Sequence, residues 1–577
     1  MTATVRENPA ADRSGTGLQS TVSVADYIVQ QLLSISVSVL YGVHGANIED
    51  LYDAAIRQPG MTPVVAKHEF AAGVMADGTA RVTGRPAAVM TTSGGGALNV
   101  VAALAESYDS RVPVLALVGT APSALVGRGA FQDMLSPPDT IDIAGVMSAV
   151  TGSCCVVASA DEVPAALGTA LATLDRGLPA AILLPKDVQA ASMSGPGSRV
   201  HRAPGSDVPG FDVAQLDRLA AELVAQVAAT PGRVVIWAGE QASVAGLGGP
   251  IDELANALAA TVVASPGGRD ILRGGDGCAG VTGVMGHPSA HRALERSSVC
   301  LAVGCRMSMT DRAGLDEVLA RQRTIHLGAH APRLPGVDHH ACDDLTGALE
   351  HLTRRVREML AARPARVPCE ITRLPVPPST TRVLDMRTVV ETVGAELPSR
   401  VTVFADAGNA GAAAIHHLPF GRGRFVVALG MGGMGYALAA GVGHAIRTTI
   451  AGGGARSVVI AGDGAFFMHG TEMHTAIEFD APVTFVILNN NAHGMCITRE
   501  QRFFPNTPSV NRFRPTDIAA GLTAMFPALA VSHPSGRREL RDAAAAHFSA
   551  RGPNCLVVDV DPDEIPPFAP LLPKGPS

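Results

Sequence analysis

Short runs of apolar, often β-branched residues alternate along this chain with longer alanine-rich stretches of helical character. The runs read PAAVMTT, VPVLALVG, PAAILLP, RVVIWAG, VCLAVG, RTIHLG, SVVIAGDG, VTFVILNN and NCLVVDVD. Bounded runs of this length predict buried strands, and their alternation with helices predicts parallel sheets with crossover connections. Two segments break the rhythm, Gln189 to Asp212 and Ala362 to Val383, both rich in Pro, Gly or Ser and without periodicity. They divide the chain into three α/β blocks, at 21–190, 210–362 and 384–562, with a leader at 1–20 expected to be disordered and a tail at 563–577. The fold class expected is therefore α/β, three domains with parallel sheets flanked by helices. No short-period repeat suggests a solenoid.

Composition narrows the partners. At 577 residues and 47% hydrophobic, the chain is long enough for several ordinary cores. The net charge of −7 is spread without a basic stripe, so nothing points to nucleic acid. The polar first twenty residues lack the apolar centre of a secretory signal. No apolar run reaches the roughly 18 residues of a membrane span, because Gly, Pro or charge intervenes. Nine cysteines lie scattered without a C-x-x-C pair, Cys154 beside Cys155, which suggests neither a disulfide framework nor a zinc site. The expectation is a cytoplasmic protein that meets small molecules and copies of itself, with no nucleic acid and no membrane.

The stretch VVALGMGGMGYALAAGVG, Val426 to Gly443, contains Gly430, Gly432 and Gly435 as G-x-G-x-x-G between an apolar run and an alanine-rich helix. That is the dinucleotide fingerprint. A dinucleotide loop should be followed about 20 residues later by an acid for the ribose, yet Tyr436 to Gly462 holds no Asp or Glu. Arg456 is placed to meet a 2′-phosphate, so the loop alone leaves NADP open.

The next segment changes the picture. Gly462-Asp463-Gly464 closes one apolar run and Asn489-Asn490-Asn491 closes the following one, with Asp463 and Asn490 27 residues apart. A strand ending in Gly-Asp-Gly before a helix offers backbone N–H groups to an anion and a carboxylate to a hard cation. A second oxygen ligand from the neighbouring strand suits Mg²⁺, which is commonly shared between protein oxygens and phosphates.

This stretch resembles the diphosphate-binding motif of thiamine-diphosphate-dependent enzymes, specifically the acetolactate synthase, pyruvate decarboxylase and benzaldehyde lyase superfamily. The resemblance implies a pyrimidine-binding domain, a Rossmann-like middle domain and a diphosphate-binding domain. It implies Mg²⁺ held by the side chains of Asp463 and Asn490 and the carbonyl of Ala492. The glycine-rich loop becomes the family's GxMG, with Met434 as the apolar wedge under the thiazolium. Gly432, Gly462, Gly464 and Met495 join the cofactor-binding set. In VVAKHEFAAG, Glu69 matches the family's activating carboxylate, which hydrogen-bonds the aminopyrimidine and sends its imino tautomer after the C2 proton. The other reading of Glu69 is a solvated first-turn residue favoured by the helix dipole. The family pairs the pyrimidine block of one subunit with the diphosphate block of another, so a homodimer or homotetramer is implied.

Other segments bear on the reaction. His44 in YGVHGANIED matches a benzaldehyde lyase histidine and is a candidate for proton transfer, or else a hydrogen-bonded loop histidine. GRGAFQDM is similar to an acetolactate synthase segment, which makes Phe131 a substrate-side candidate, or else part of an ordinary structural loop, and Gln132, where a lyase-type glutamine also falls, a catalytic candidate. Arg306 in AVGCRMSMTDR matches an arginine offered to a 2-keto acid, or serves a surface ion pair. The same middle segments run along FAD in acetolactate synthases, but benzaldehyde lyase has this block without flavin. Arg499 departs from the family, which places a tryptophan there in acetolactate synthases; it could hold an anionic acceptor or pair with Glu500. His493 adjoins the metal loop and could face C2 or cap a turn. His416, His417 and Glu472 are set aside.

The activity implied is a carboligase that decarboxylates a 2-keto acid, most simply pyruvate, and transfers the acyl group to an aldehyde or ketone. A 2-hydroxyketone lyase and a simple 2-keto acid decarboxylase stand as alternatives.

Overall fold

Three six-stranded sheets, parallel throughout, carry the alternating pattern of the sequence. The computed structural model describes residues 22–193, 210–360, 364, 366, 368–379 and 383–572. The expected leader at 1–20, the core of the first irregular segment and the last residues of the tail lie outside the described residues.

The first sheet is built from β1 (Val39–Val43), β2 (Thr62–Val65), β3 (Ala87–Thr91), β4 (Val114–Thr120), β5 (Ser153–Val156) and β6 (Ala180–Pro185), in the order β2-β1-β3-β4-β6-β5. Its central strands are buried along their whole length, as expected where helices cover both faces of a parallel sheet. Two of those helices matter most here, α1 (Glu69–Thr83) and α2 (Val101–Ser110). α1 starts where the His68 ring accepts from the Phe70 N–H at 3.1 Å, and it stops at Gly84, whose φ of +65° suits glycine.

The middle sheet comprises β7 (Val234–Ala238), β8 (Thr261–Ala264), β9 (Cys278–Val281), β10 (Val299–Val303), β11 (Arg323–Gly328) and β12 (Asp338–Ala341), in the order β9-β8-β7-β10-β11-β12. This is the doubly wound Rossmann arrangement, with its switch point between β7 and β10. A short helix, α3 (Glu240–Val244), follows β7.

The third sheet holds β13 (Val401–Ala405), β14 (Arg424–Val427), β15 (Arg456–Gly462), β16 (Val483–Asn489), β17 (Ala530–Ser532) and β18 (Asn554–Asp559). Its order, β14-β13-β15-β16-β18-β17, repeats that of the first sheet. Four helices follow its strands: α4 (Gly408–His417), α5 (Tyr436–Ile450), α6 (Asp463–His469) and α7 (Gly494–Phe503). The blocks share cores. One apolar cluster joins Val89 and Val118 to Val459 and Ile487, and another joins Ile236 and Val303 to Val403 and Val458. The tail packs as far as it is described: Ala569 N–H donates to the Val284 carbonyl at 2.8 Å, and Leu571 is buried. Among the described residues no helix is long and apolar enough to cross a membrane.

Candidate active site

The loops at the carboxyl ends of β13 to β16 meet at one place, where ligands of doubly wound sheets bind. β15 is apolar from Val458 to Ala461, and Asp463 is the first residue beyond the strand, 1% exposed. Its carboxylate accepts from the Gly464 N–H at 3.0 Å and the Ala492 N–H at 3.1 Å. Burial nevertheless pushes this acid up to about 6, because few charges nearby offset the lost hydration. Asn490, at the end of β16, is also buried, and its Oδ1 accepts from the same Ala492 N–H at 3.1 Å. Asn491 takes a φ of +50° and turns the chain back so that Ala492 reaches both. From α4, the buried Asn409 brings an Oδ1 that has no partner among the described residues. A β-carbon on Gly494 would stand 2.6 Å from Asn490 Nδ2 and 2.8 Å from Asn409 Nδ2, so the two amides converge over a residue that must be glycine. Gly462 has nothing closer than 4.0 Å at its β position. A desolvated carboxylate, amides facing one another and open space at a glycine fit a divalent cation and a diphosphate.

The glycine-rich loop links β14 to α5. Gly432 and Gly435 take φ of +66° and +87°. The loop N–H groups are already used. Glu106 accepts from Gly430, Met431 and Gly432, while the buried Asp406 accepts from Gly435 at 2.9 Å and Ala437 at 2.8 Å. A dinucleotide loop would keep such donors for a pyrophosphate, so the NADP alternative is corrected. Arg456 adds to the correction, because it is buried and donates to Thr484 Oγ1 and to the Gly552 and Ala550 carbonyls. Met434 is half-buried at the end of the loop, its Cε 3.1 Å from where a β-carbon of Gly464 would lie; the His493 ring flanks the same spot. Met495 is half-buried in the first turn of α7.

A second group gathers at the carboxyl ends of β1 to β4. Glu69 is 9% exposed, not the solvated first-turn residue of the alternative reading. Its Oε2 accepts from Asn99 Nδ2 at 2.9 Å. Oε1 lies 3.3 Å from the β position of Gly96. The nearby Tyr52 phenol is pushed up by burial and by the Glu69 charge. Gln132 has a φ of +59°, and its Oε1 accepts from Ser93 Oγ at 2.9 Å, which itself accepts from Asn47 Nδ2 at 2.6 Å. His44 is exposed, with its ring 4.7 Å from that of Tyr52. Phe131 is 78% exposed. Within one chain no hydrogen bond, ion pair or ring contact among the described residues joins this group to the Asp463 group.

The remaining candidates lie apart or on the rim. Arg306 sits after β10 in a cavity of about 750 Å³ between the first and middle blocks, its guanidinium 3.5 Å from Asp109 and close to Arg111 and Arg333. In this chain it faces neither group. Arg499 is exposed and lies over the Phe503 ring at 5.8 Å. Glu500 does not pair with it; that carboxylate accepts from Asn511 Nδ2 at 2.5 Å. The His416 ring stacks on His287 at 4.4 Å, binding the third block to the middle one. Sequence reasoning missed Asp406 and Glu106. Asp406 carried the signal of an acid just past an apolar strand, while Glu106 lies in a helix with no local mark.

Residues 22–143 match the N-terminal TPP binding domain of thiamine pyrophosphate enzymes, residues 219–352 their central domain, and residues 406–560 their C-terminal TPP binding domain. Fold and site together thus define a thiamine-pyrophosphate-dependent enzyme. The chain belongs to the superfamily of acetolactate synthases and related decarboxylases, and it is acetolactate-synthase-like in kind, an enzyme of carbon–carbon bond formation. It is 25% identical over 576 residues to the acetolactate synthase isozyme 2 large subunit of Escherichia coli, covering 96% of this chain and 98% of that one. It is 26% identical over 519 residues to the acetolactate synthase of Mycobacterium leprae, covering 86% and 79%. The X-ray structure of a Mycobacterium smegmatis protein described as a thiamin diphosphate-dependent enzyme superposes with a TM-score of 0.76 at 21% identity, over 94% of this chain and all of that one.

Proposed function

We propose that the protein decarboxylates a 2-keto acid, most simply pyruvate, and joins the acyl unit to an aldehyde or ketone. The observation that carries the reading is the pairing of two buried carboxylates with different surroundings. Asp463 is poised for a cation beside Asn490 and the Ala492 carbonyl. Glu69 is buried and touched only by one amide, Asn99, among the hydrogen bonds described. Thiamine diphosphate, when bound, supplies the nucleophilic carbon and the electron sink that carboligation needs. The chain's part is to hold Mg²⁺ through Asp463, Asn490 and Ala492, to shape the cofactor over Met434, and to hold a hydrogen bond from Glu69 to the aminopyrimidine. His44 and Gln132 lie at the same rim as Glu69 and would hold or move the proton at the substrate oxygen. Phe131, His493 and Arg499 would border the acceptor.

A site completed by a second copy, hence a homodimer or a homotetramer, belongs to this reading; no hydrogen bond, ion pair or ring contact among the described residues joins Glu69 or Gln132 to Asp463 or Asn490 within one chain. The reading contains no flavin. A β-carbon on Gly239 would lie 2.2 Å from the Gly304 carbonyl, so the switch-point turns where a dinucleotide's diphosphate would rest pack on each other. The Glu240 carboxylate occupies the start of α3 there, which disfavours a phosphate. The free cysteines support a reducing, cytoplasmic compartment.

The test is incubation of the purified protein with thiamine diphosphate, Mg²⁺ and pyruvate, with and without carbonyl acceptors, following CO₂ and products by mass spectrometry. CO₂ with a ligated product is the expected result. Free aldehyde without ligation would replace the reading by a decarboxylase, and inert pyruvate with cleavage of a 2-hydroxyketone by a lyase.

A further inference from the structure

Glu106 is 3% exposed, on α2 of the first block, yet its carboxylate ends on the glycine-rich loop of the third. It accepts from Met431 N–H at 2.5 Å, from Gly430 at 3.3 Å and from Gly432 at 3.4 Å, and from Ser110 Oγ at 2.7 Å. Arg81 of α1 donates to it at 2.8 Å. That same guanidinium donates to Asp77 at 2.6 Å and to Glu240 of the middle block at 2.6 Å. Asp77 also accepts from Ser107 Oγ and from the Tyr436 hydroxyl at the start of α5. The network is almost wholly out of water, and every charge in it has partners. Burial alone would raise Glu106, but Arg81, Ser110 and the loop amides outweigh it and hold the acid below the usual range. The charge therefore stays on the carboxylate, where bonds to N–H groups are strongest.

The geometry points to Glu106 as a positioning residue: it fixes the peptide groups 430–432 so that Met434 and Gly435 stand ready for the cofactor, and Arg81 ties that anchor through Glu240 to the middle block. No other carboxylate reaches residues 430–432 among the hydrogen bonds of the described residues. Asp406 grips the far end at Gly435 and Ala437, so the loop is held at both ends by buried acids. The inference rests on the reading that this loop carries thiamine diphosphate.

The test uses the full-length protein and two readouts. Amide hydrogen exchange of residues 428–437 is followed in the cofactor-free protein, and the Kd of thiamine diphosphate with Mg²⁺ is measured by calorimetry. In Glu106→Gln the loop amides should exchange about ten-fold faster or more, with β15 unchanged, and the Kd should rise about ten-fold. Glu106→Asp should recover part of both, which a merely space-filling role would not give. Glu240→Gln, at the outer end of the network, should shift both in the same direction by less, and it stands in if Glu106→Gln does not fold. Unchanged loop exchange and Kd in a folded Glu106→Gln protein would overturn the inference. If the parent protein binds no thiamine diphosphate, the cofactor reading falls, while the exchange arm still decides whether Glu106 anchors the loop.

Discussion

Gly78 of α1 and Ala440 of α5 face each other at backbone distance: a β-carbon on Gly78 would lie 2.6 Å from Ala440 Cβ and 2.8 Å from its Cα. Further along the same contact, a β-carbon on Gly443 would lie 2.6 Å from Met75 Cα. The helix that begins at Glu69 and the helix that follows the glycine-rich loop are thus locked together by small residues. Gly443→Ala gains about 1 kcal/mol of helix propensity but forces a methyl into backbone, at about 1–3 kcal/mol. A net loss of stability is expected in urea unfolding, and an unchanged or raised midpoint would show that the helices can part.

Glu69→Gln keeps the shape and the contact with Asn99 but removes the acid. Turnover should fall by about 10²-fold to 10⁴-fold, the range of general acid–base contributions, while thiamine diphosphate binding changes little. Steady-state rates with 2-keto acid, set beside calorimetric titration of the cofactor, separate the two.

Asp463 stands at about 6 in the cofactor-free protein, above its ordinary value near 3.9. The fold therefore favours its protonated form, and its contribution to cofactor-free stability is lost as pH rises from about 4 through about 6. A cation needs the ionised form, so Mg²⁺-dependent cofactor binding should weaken as pH falls below about 6. Asp463→Asn should unfold at a higher temperature than the parent at pH 7 when cofactor-free, and should lose the increment that Mg²⁺ and thiamine diphosphate give. Thermal unfolding with and without both ligands checks this; an increment that survives in the variant would remove Asp463 from the metal site.

Burial holds His287 at about 3 and His416 at about 4. Both are neutral in the fold, and the unfolded chain takes up protons below about 6.5. Their contribution is therefore present above pH 6.5 and is lost as pH falls toward 4. His287→Phe keeps a ring against His416 and removes one such proton. Its stability should fall less steeply between pH 6.5 and 4, by about 1.4 kcal/mol per pH unit at most. Equal slopes in denaturant titrations across that range would contradict the account.

Arg499 is an exposed guanidinium without an ion pair among the described residues, near the rim that holds His493. Arg499→Ala should leave CO₂ release from the donor within about two-fold and raise KM for an acidic acceptor by about ten-fold or more, the loss of a charged hydrogen bond. A KM that stays level with acidic and neutral acceptors alike would remove Arg499 from acceptor binding.

The local sequence determined the elements with long apolar runs and the turns that end them. β15 and β16 are seven buried or nearly buried residues each, and their ends, Gly-Asp-Gly and Asn-Asn-Asn, are written in adjacent residues. Nearest-neighbour chemistry was enough to bring forward Asp463 and Asn490, and the resemblance to a known family added Glu69. Strands such as β9, Cys278–Val281, and β12, Asp338–Ala341, were not legible, because four residues carrying glycine or paired histidines owe their strand form to the neighbours that pair with them. At Gly430 to Gly435 the glycines alone allow a dinucleotide loop or a cofactor wedge, and the Gly-Asp-Gly that follows favoured the wedge, but the choice of partner for the loop's donors was not written nearby. That choice was made by Glu106, 324 residues before Gly430, and by Asp406, whose carboxylates take the loop's donors. A carboxylate on a distant helix can reach a loop only after the sheets have stacked and shared their cores, so its role exists in the tertiary structure and in no stretch of the chain read by itself.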